Sequence, residues 1–270
     1  SVTGDACVSG VITAANFAKA DGSSLGGFSP DDQENLYAGT GAGASSDSDT
    51  CFNIGIGNCA LESANAGDYN VAIGYDAGCS LTSGKYNVLF GINAAEKLTT
   101  GCDNIVLGRN AMGECAVTGY SNVTIGCNAG NKIVGGVQNV YIGTNAAKCM
   151  GYTGGNNVVL GTNAMRGGVN LTSNTAANNV VLGQCAGYVI TNGSRNFFGG
   201  YQSGCNVTSG QRNVIIGPKV TAVSATGDDQ LAIGSCANRW ITGDSSFHIQ
   251  PGAGIRDTAG NLGSAGQYLC

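Results

Sequence analysis

A five-residue block, Asn-Val-Ala-Ile-Gly at 70–74, returns about every seventeen residues and limits what this chain can fold into more than any other feature. Aligned on its leading Asn, the block begins at Asn35, Asn53, Asn70, Asn87, Asn104, Asn122, Asn139, Asn157, Asn179, Asn196 and Asn213, with Gln230 in place of Asn in a twelfth copy. The eleven steps are 18, 17, 17, 17, 18, 17, 18, 22, 17, 17 and 17 residues. A short fixed period with one insertion marks a repeat whose units stack.

The second block position is apolar throughout, from Leu36 and Ile54 to Val214 and Leu231. The fourth is nearly so, with Ile56, Ile73, Phe90, Leu107 and Ile125 among others. Apolar residues two apart, rich in β-branched types, read as a short strand with one face buried. The fifth position is Gly in all twelve copies, Gly39 to Gly234, so the backbone turns there with positive φ or under close approach. Next comes x-Asn-Ala-(Gly/Ala/Met), as in Asn93-Ala94-Ala95, with the Ala expected to point inward. A third apolar position follows at Leu81, Leu98, Ile133, Met150, Ile190 and Val207, and turns such as Thr82-Ser83-Gly84 close the unit. Each repeat is therefore expected to hold two short strands and two turns.

Seventeen residues cannot bury such a unit alone, but stacked copies share a continuous core. The expected fold is an all-β, parallel β-solenoid of about twelve 17-residue coils. It covers residues 34–243, between an N-terminal cap or assembly segment at 1–33 and an extended tail at 244–270. At about 4.8 Å per coil the rod is about 60 Å long. Stacked Asn side chains are expected to hydrogen-bond along the rod. The third block position is expected to face outward, which gives an association stripe of Tyr37, Leu89, Val106, Tyr141, Val159, Val181, Phe198 and Ile215. An exposed apolar stripe of that length marks an association surface. The alternative is a strand buried on both faces.

Composition excludes several classes. Gly is 46 of 270 residues but Pro only three, which rules out collagen. A net charge of −5 with twelve Lys and Arg leaves no basic patch for nucleic acid. No run of 18 apolar residues exists to cross a membrane as a helix. Residue 1 is Ser with no charged-then-apolar leader after it, so the expectation is a processed signal or a piece of a longer chain.

Twelve Cys without a C-x-x-C, and a single His, remove the zinc patterns. Disulfides in an oxidising setting are the favoured reading, against small buried thiols. Counting the leading Asn as zero, Cys59 holds offset six and Cys79 offset nine of the next coil; Cys185 and Cys205 repeat that relation. Cys127 with Cys149 is a near-variant at offsets five and ten, and Cys102 with Cys115 a weaker fourth pair.

The block N-V-x-I-G-x-N-A-G, with T-S-G-x-x-N between copies, resembles the head repeats of trimeric autotransporter adhesins. It is still more similar to related repeats in phage tail-fibre and other virion structural proteins. The flanks Gly10-Val11-Ile12-Thr13-Ala14 and Ser264-Ala265-Gly266-Gln267-Tyr268-Leu269 are similar to segments bordering such phage repeats. The resemblance covers about 210 residues and implies a trimeric fibre of β-solenoids. The longer coil and the many Cys depart from the adhesin heads.

Catalytic chemistry finds little purchase. His248, the single His, lies in an apolar segment beside Pro251, and Asp31, Asp32, Glu34, Asp228 and Asp229 fall on expected loops. A general acid–base pair needs carboxylates facing one another in a cleft. The repeat has no Asp column of a calcium-binding roll, no Thr ladder and no phosphate loop. Sequons occur at Asn122, Asn170, Asn192 and Asn206, with Asn122 in the ladder and the other three open to glycosylation. The function that follows is a non-enzymatic structural subunit of an extracellular or virion fibre without cofactor or metal. Its partner is itself, as a trimer or stacked filament. The rival is an adhesin or carbohydrate-binding module that touches a host-surface glycan through solenoid loops, with aromatic pairs on adjacent turns as its mark.

Overall fold

The computed structural model describes residues 31–115, 117–150, 154–167, 174–236, 238–246 and 248–251. Most of the expected N-terminal cap or assembly segment, the expected tail beyond residue 251, Cys7, Cys270 and the sequon Asn170 lie outside the described residues. Twelve strands follow the block: β1 (Leu36–Ala38), β2 (Ile54–Ile56), β3 (Val71–Ile73), β4 (Val88–Phe90), β5 (Ile105–Leu107), β6 (Val123–Ile125), β7 (Val140–Ile142), β8 (Val158–Leu160), β9 (Val180–Leu182), β10 (Phe197–Gly199), β11 (Val214–Ile216) and β12 (Leu231–Ser235). They pair in chain order and in parallel, each residue beside its equivalent one coil away, as with Leu89 between Ala72 and Val106. The 22-residue step leaves the register intact, since Val158 pairs with Val180. No helix occurs among the described residues. The fold is the expected parallel β-solenoid.

Two expectations need correction. Each coil holds one block strand, three residues long in β1 to β11, not two strands. At offsets six and eight the backbone is left-handed, as at Asn93 (φ 54) and Ala95 (φ 51), or Asn110 (φ 55) and Met112 (φ 52). A strand cannot run through residues of positive φ, and Asn recurs at offset six because it tolerates that region. The segment still bonds from coil to coil, as in Ala95 N–H to Ala111 O at 2.9 Å.

The second correction reverses the strand's faces. The third block position points inward: Leu89, Val106, Val159, Val181, Phe198 and Ile215 are fully buried, Tyr141 is 1 % exposed and Tyr37 is half-buried against the core. The ladder Asn, two residues earlier, is buried too. Side chains two apart share a face, so Asn at offset zero draws offset two inside and turns offsets one and three out. The interior is fitted by size. Gly130 and Gly187 make room for the rings of Tyr141 and Phe198, while Leu61 fills the coil in which Gly55 holds offset two.

The Asn ladder forms as expected. Oδ1 of each rung accepts the backbone N–H of the next and, except between Asn196 and Asn213, its side-chain N–H as well, and each Nδ2 also donates to a carbonyl 14 to 19 residues on, closing its own coil. For Asn87 these bonds are 3.0 Å from Asn104 N, 3.0 Å from Asn104 Nδ2 and 2.9 Å to Gly101 O.

Past β12 the parallel order ends. β13 (Asn238–Gly243) folds back antiparallel on β12 with a bulge at Ile233/Gly234, and β14 (Ile249–Pro251) adds to it. The segment after His248 is thus β14, and Pro251 is its last residue. A three-residue edge ending in Pro offers little to a further strand.

Candidate functional site: the exposed face of the coil stack

Offsets one and three point away from the core on every coil and are apolar almost throughout. Val88, Phe90, Ile105, Ile142, Leu160, Phe197, Val214 and Ile216 are each 36 to 55 % exposed. The apolar stripe therefore exists, but on the opposite parity from the one the sequence suggested. Two further columns border it. Offset minus one, left-handed in every coil, carries Phe52, Tyr69, Tyr86, Asp103 and later Arg195 and Arg212. Offset five, after the column Gly, carries Asn58, Tyr75, Ile92, Arg109 and Cys127.

Coils two to four differ from the others. Phe52 stacks on Tyr69 with ring centroids 4.9 Å apart and 8° between planes, and Tyr69 on Tyr86 at 5.2 Å and 11°. The parallel register sets this ladder, because equal offsets lie one strand spacing apart. Beside it Lys85 Nζ meets Asp68 Oδ2 at 2.5 Å. Burial alone would raise the Asp68 carboxyl, but Lys85 and the Cys51 N–H outweigh it and hold the group below the usual range. Toward the other end Arg212 clasps Asp229 and reaches Asp228, and this lowers Asp229. Asp31 accepts from the N–H groups of Gln33 and Asn35. Asp31 is thus a turn residue, and Asp228 and Asp229 are held in an ion-pair cluster.

The ten described cysteines are free thiols, so none of the expected bridges is formed among them. The turn does bring offsets six and nine together: Glu62 N–H donates to Cys59 O at 3.3 Å, and Cys79 N–H to Asp76 O at 3.4 Å. Cys59 and Cys79 become diagonal corners of a square whose other corners are Glu62 and Asp76. Cys185 and Cys205 hold the same diagonal, with Tyr188 and Gln202 at the other corners. Cys127 lies beside Arg109 and Asn128, while Cys149 is buried beside Gly167. Cys102 accepts from Lys85 N–H, while Cys115 sits near Glu114 and Lys132. Neither of these two pairs shares a square.

Burial, then the Glu62 carboxylate whose Oε2 is 3.3 Å from its Sγ, pushes the Cys79 thiol up to about 12. Only thiolate alkylates readily, so at pH 9 Cys79 should react with iodoacetamide at least about tenfold more slowly in the folded chain than after unfolding. Mass-spectrometric labelling rates check this. Equal rates would mean that the carboxylate does not hold the proton on sulfur.

The β12–β14 end carries a shallow pocket of about 370 Å³ lined by Asp229, Leu231, Gly243, Asp244, His248 and Ile249. His248 Nδ1 lies 3.7 Å from Asp244 on an exposed turn. No group of three or more His, Cys, Asp or Glu among the described residues could hold a metal ion. Of the sequons, Asn122 is buried in the ladder. Asn206 uses both amide atoms on Ala222, at 3.0 and 2.9 Å, and Asn192 is exposed. No family model, curated protein or solved structure matches the chain.

Proposed function

We propose that this chain is a non-enzymatic structural subunit of an extracellular or virion fibre, and that copies associate through the exposed face of the solenoid as a trimer or a stacked filament. The observation that carries the reading is the pair of outward apolar columns at offsets one and three, which run the length of the parallel stack. Side chains such as Phe90, Ile142, Leu160 and Ile216 line up along the exposed face, and a long exposed apolar surface marks an association site. The antiparallel β13–β14 hairpin occupies the C-terminal end, so the face bears more of this reading than that end does. Oxidation of the Cys59–Cys79 and Cys185–Cys205 diagonals to disulfides would fit an extracellular setting, and non-reducing peptide mapping tests it.

Sedimentation tests the assembly. The native chain should sediment as more than one chain, and replacing Val88, Phe90 and Ile105 together by Lys should shift it toward single rods with an unchanged β spectrum. A native chain that is monomeric at every concentration would overturn the reading. The earlier stripe is unsuitable for this purpose: Lys at Leu89, Val106 or Val181 would enter the core and unfold the coil. The second reading, an adhesin or carbohydrate-binding module, draws on the Phe52–Tyr69–Tyr86 ladder. Glycan-array binding lost in Tyr69→Ala would favour it, and no binding to any glycan would sink it.

A further inference from the structure

The exposed face is periodic except at coils two to five, and there the departures are paired across the strand. Elsewhere the border columns are mostly polar, such as Gln138 with Thr144 and Asn156 with Thr162. At offset minus one of coils two to four they turn aromatic, with Phe52, Tyr69 and Tyr86, and at offset five of coils three and four they carry Tyr75 and Ile92, after the polar Asn58 of coil two. With Phe90 between them, the six aromatic and aliphatic side chains are 45 to 55 % exposed. A buried aromatic covers about 150–250 Å², so six half-exposed groups offer on the order of 600 Å², before the aliphatic residues between them are added. A standard interface takes about 800 Å² from each partner. Coil five then ends the patch with opposite charges, Asp103 on one border and Arg109 on the other, both exposed.

We propose that a second copy of this chain docks face to face on coils two to five, with the two rods parallel and related by a twofold axis along their length. The inference rests on the self-association reading above and narrows it: this contact makes a pair, the unit from which a stacked filament would be built, in place of a trimer. Offsets minus one and five are each three residues from offset two, the middle of the strand. A twofold axis parallel to the rods and centred on that middle lays offset minus one of one copy against offset five of the same coil in the other. Tyr69 then meets the partner's Tyr75, Tyr86 meets the partner's Ile92, and Asp103 meets the partner's Arg109, each contact made twice. Among the described residues the Asp103 carboxylate makes no side-chain hydrogen bond or ion pair, and the Arg109 guanidinium gives only a 3.4 Å bond to Cys127 Sγ. An axis across the rods would instead set offset minus one against itself and bring no Asp opposite an Arg. Opposite charges at a rim set orientation, whereas like charges there oppose docking. Sheet twist explains why the patch is local: rods that twist coil by coil diverge beyond a few strands.

Charge reversal tests the geometry, using sedimentation equilibrium of the full chain at low salt. The expected particle is two chains. Asp103→Arg and Arg109→Asp should each weaken it about tenfold by facing like charges twice, and the double variant should recover most of that loss. Arg at offset minus one is compatible with the left-handed backbone, since Arg195 and Arg212 hold it there at φ 58 and 54. Phe90→Lys should abolish the particle, whereas Leu160→Lys, four coils away, should leave it. A double variant no tighter than the singles, or a three-chain particle, overturns this contact while self-association stands. A native chain that never associates overturns both. Circular dichroism on each variant separates lost docking from lost fold.

Discussion

Gly126→Ala should destabilise the rod by about 3 kcal/mol or more, because two independent penalties fall on one methyl group. Gly126 sits at φ +128, a region that L side chains rarely adopt, and a Cβ there would lie 2.8 Å from the Gly143 carbonyl of the next coil. That neighbour is backbone, locked in turn against Gly161, so it cannot swing aside. The eleven column glycines from Gly39 to Gly217 share this conformation at φ 117 to 141. A fault in the middle of a one-dimensional stack also uncouples the coils on either side. Urea unfolding should show an earlier or split transition. Gly199→Ala provides the contrast: its Cβ would meet only the Phe197 ring, at 3.2 Å, and a tip of that kind can yield. If the two variants unfold alike, close approach is not what holds Gly in the column.

The Asn column gives the second large effect, and this one depends on pH. Asn122 donates from Nδ2 to Asn104 Oδ1 at 3.1 Å and to Gly136 O at 2.8 Å. Its Oδ1 accepts from Asn139 N at 3.1 Å and from Asn139 Nδ2 at 3.0 Å. Asn122→Asp keeps the shape and the acceptor but replaces the donor with a second oxygen facing two acceptors, inside a fully buried site. An unpaired buried charge of this kind costs about 3–5 kcal/mol. Burial and facing oxygens favour the neutral acid, so the folded pKa of the new carboxyl lies above its unfolded value. The penalty is therefore smallest below the unfolded pKa and grows as pH rises through the folded one. The gap in melting temperature between variant and parent should widen from pH 4 to pH 7. Asn122→Gln should be milder, since Gln230 fills the last rung with its Nε2 on Asn213 Oδ1 and Gly227 O. A gap that is the same at both pH values would mean that the rung is reached by water.

Much of the architecture is legible without coordinates. The spacing from Asn35 to Gln230 implies a stack, because units of seventeen residues are stable only through their neighbours. The recurrent Gly requires a position where no Cβ fits, and the recurrent Asn a position where an amide bonds to its own equivalent. These follow from the sequence because each concerns one residue type in one repeated place. Asn93 and Ala95 are residue types compatible with extension, and only their left-handed backbone excludes a second strand.

The inward face was beyond the sequence for a different reason. Val88, Leu89 and Phe90 are all apolar, so period-two alternation carries no contrast, and hydrophobicity alone cannot say which side meets the core. Shared parity with the buried Asn was the available sign, together with the size range at offset two, from Gly55 to Tyr141, which only an interior matched coil by coil can accommodate. Pairing across coils was likewise invisible. Phe52, Tyr69 and Tyr86 are seventeen residues apart in the chain yet stack ring on ring, and Asp103 and Arg109 flank one strand. Such neighbours are made by register, which links residues through hydrogen bonds between coils and not through proximity along the chain.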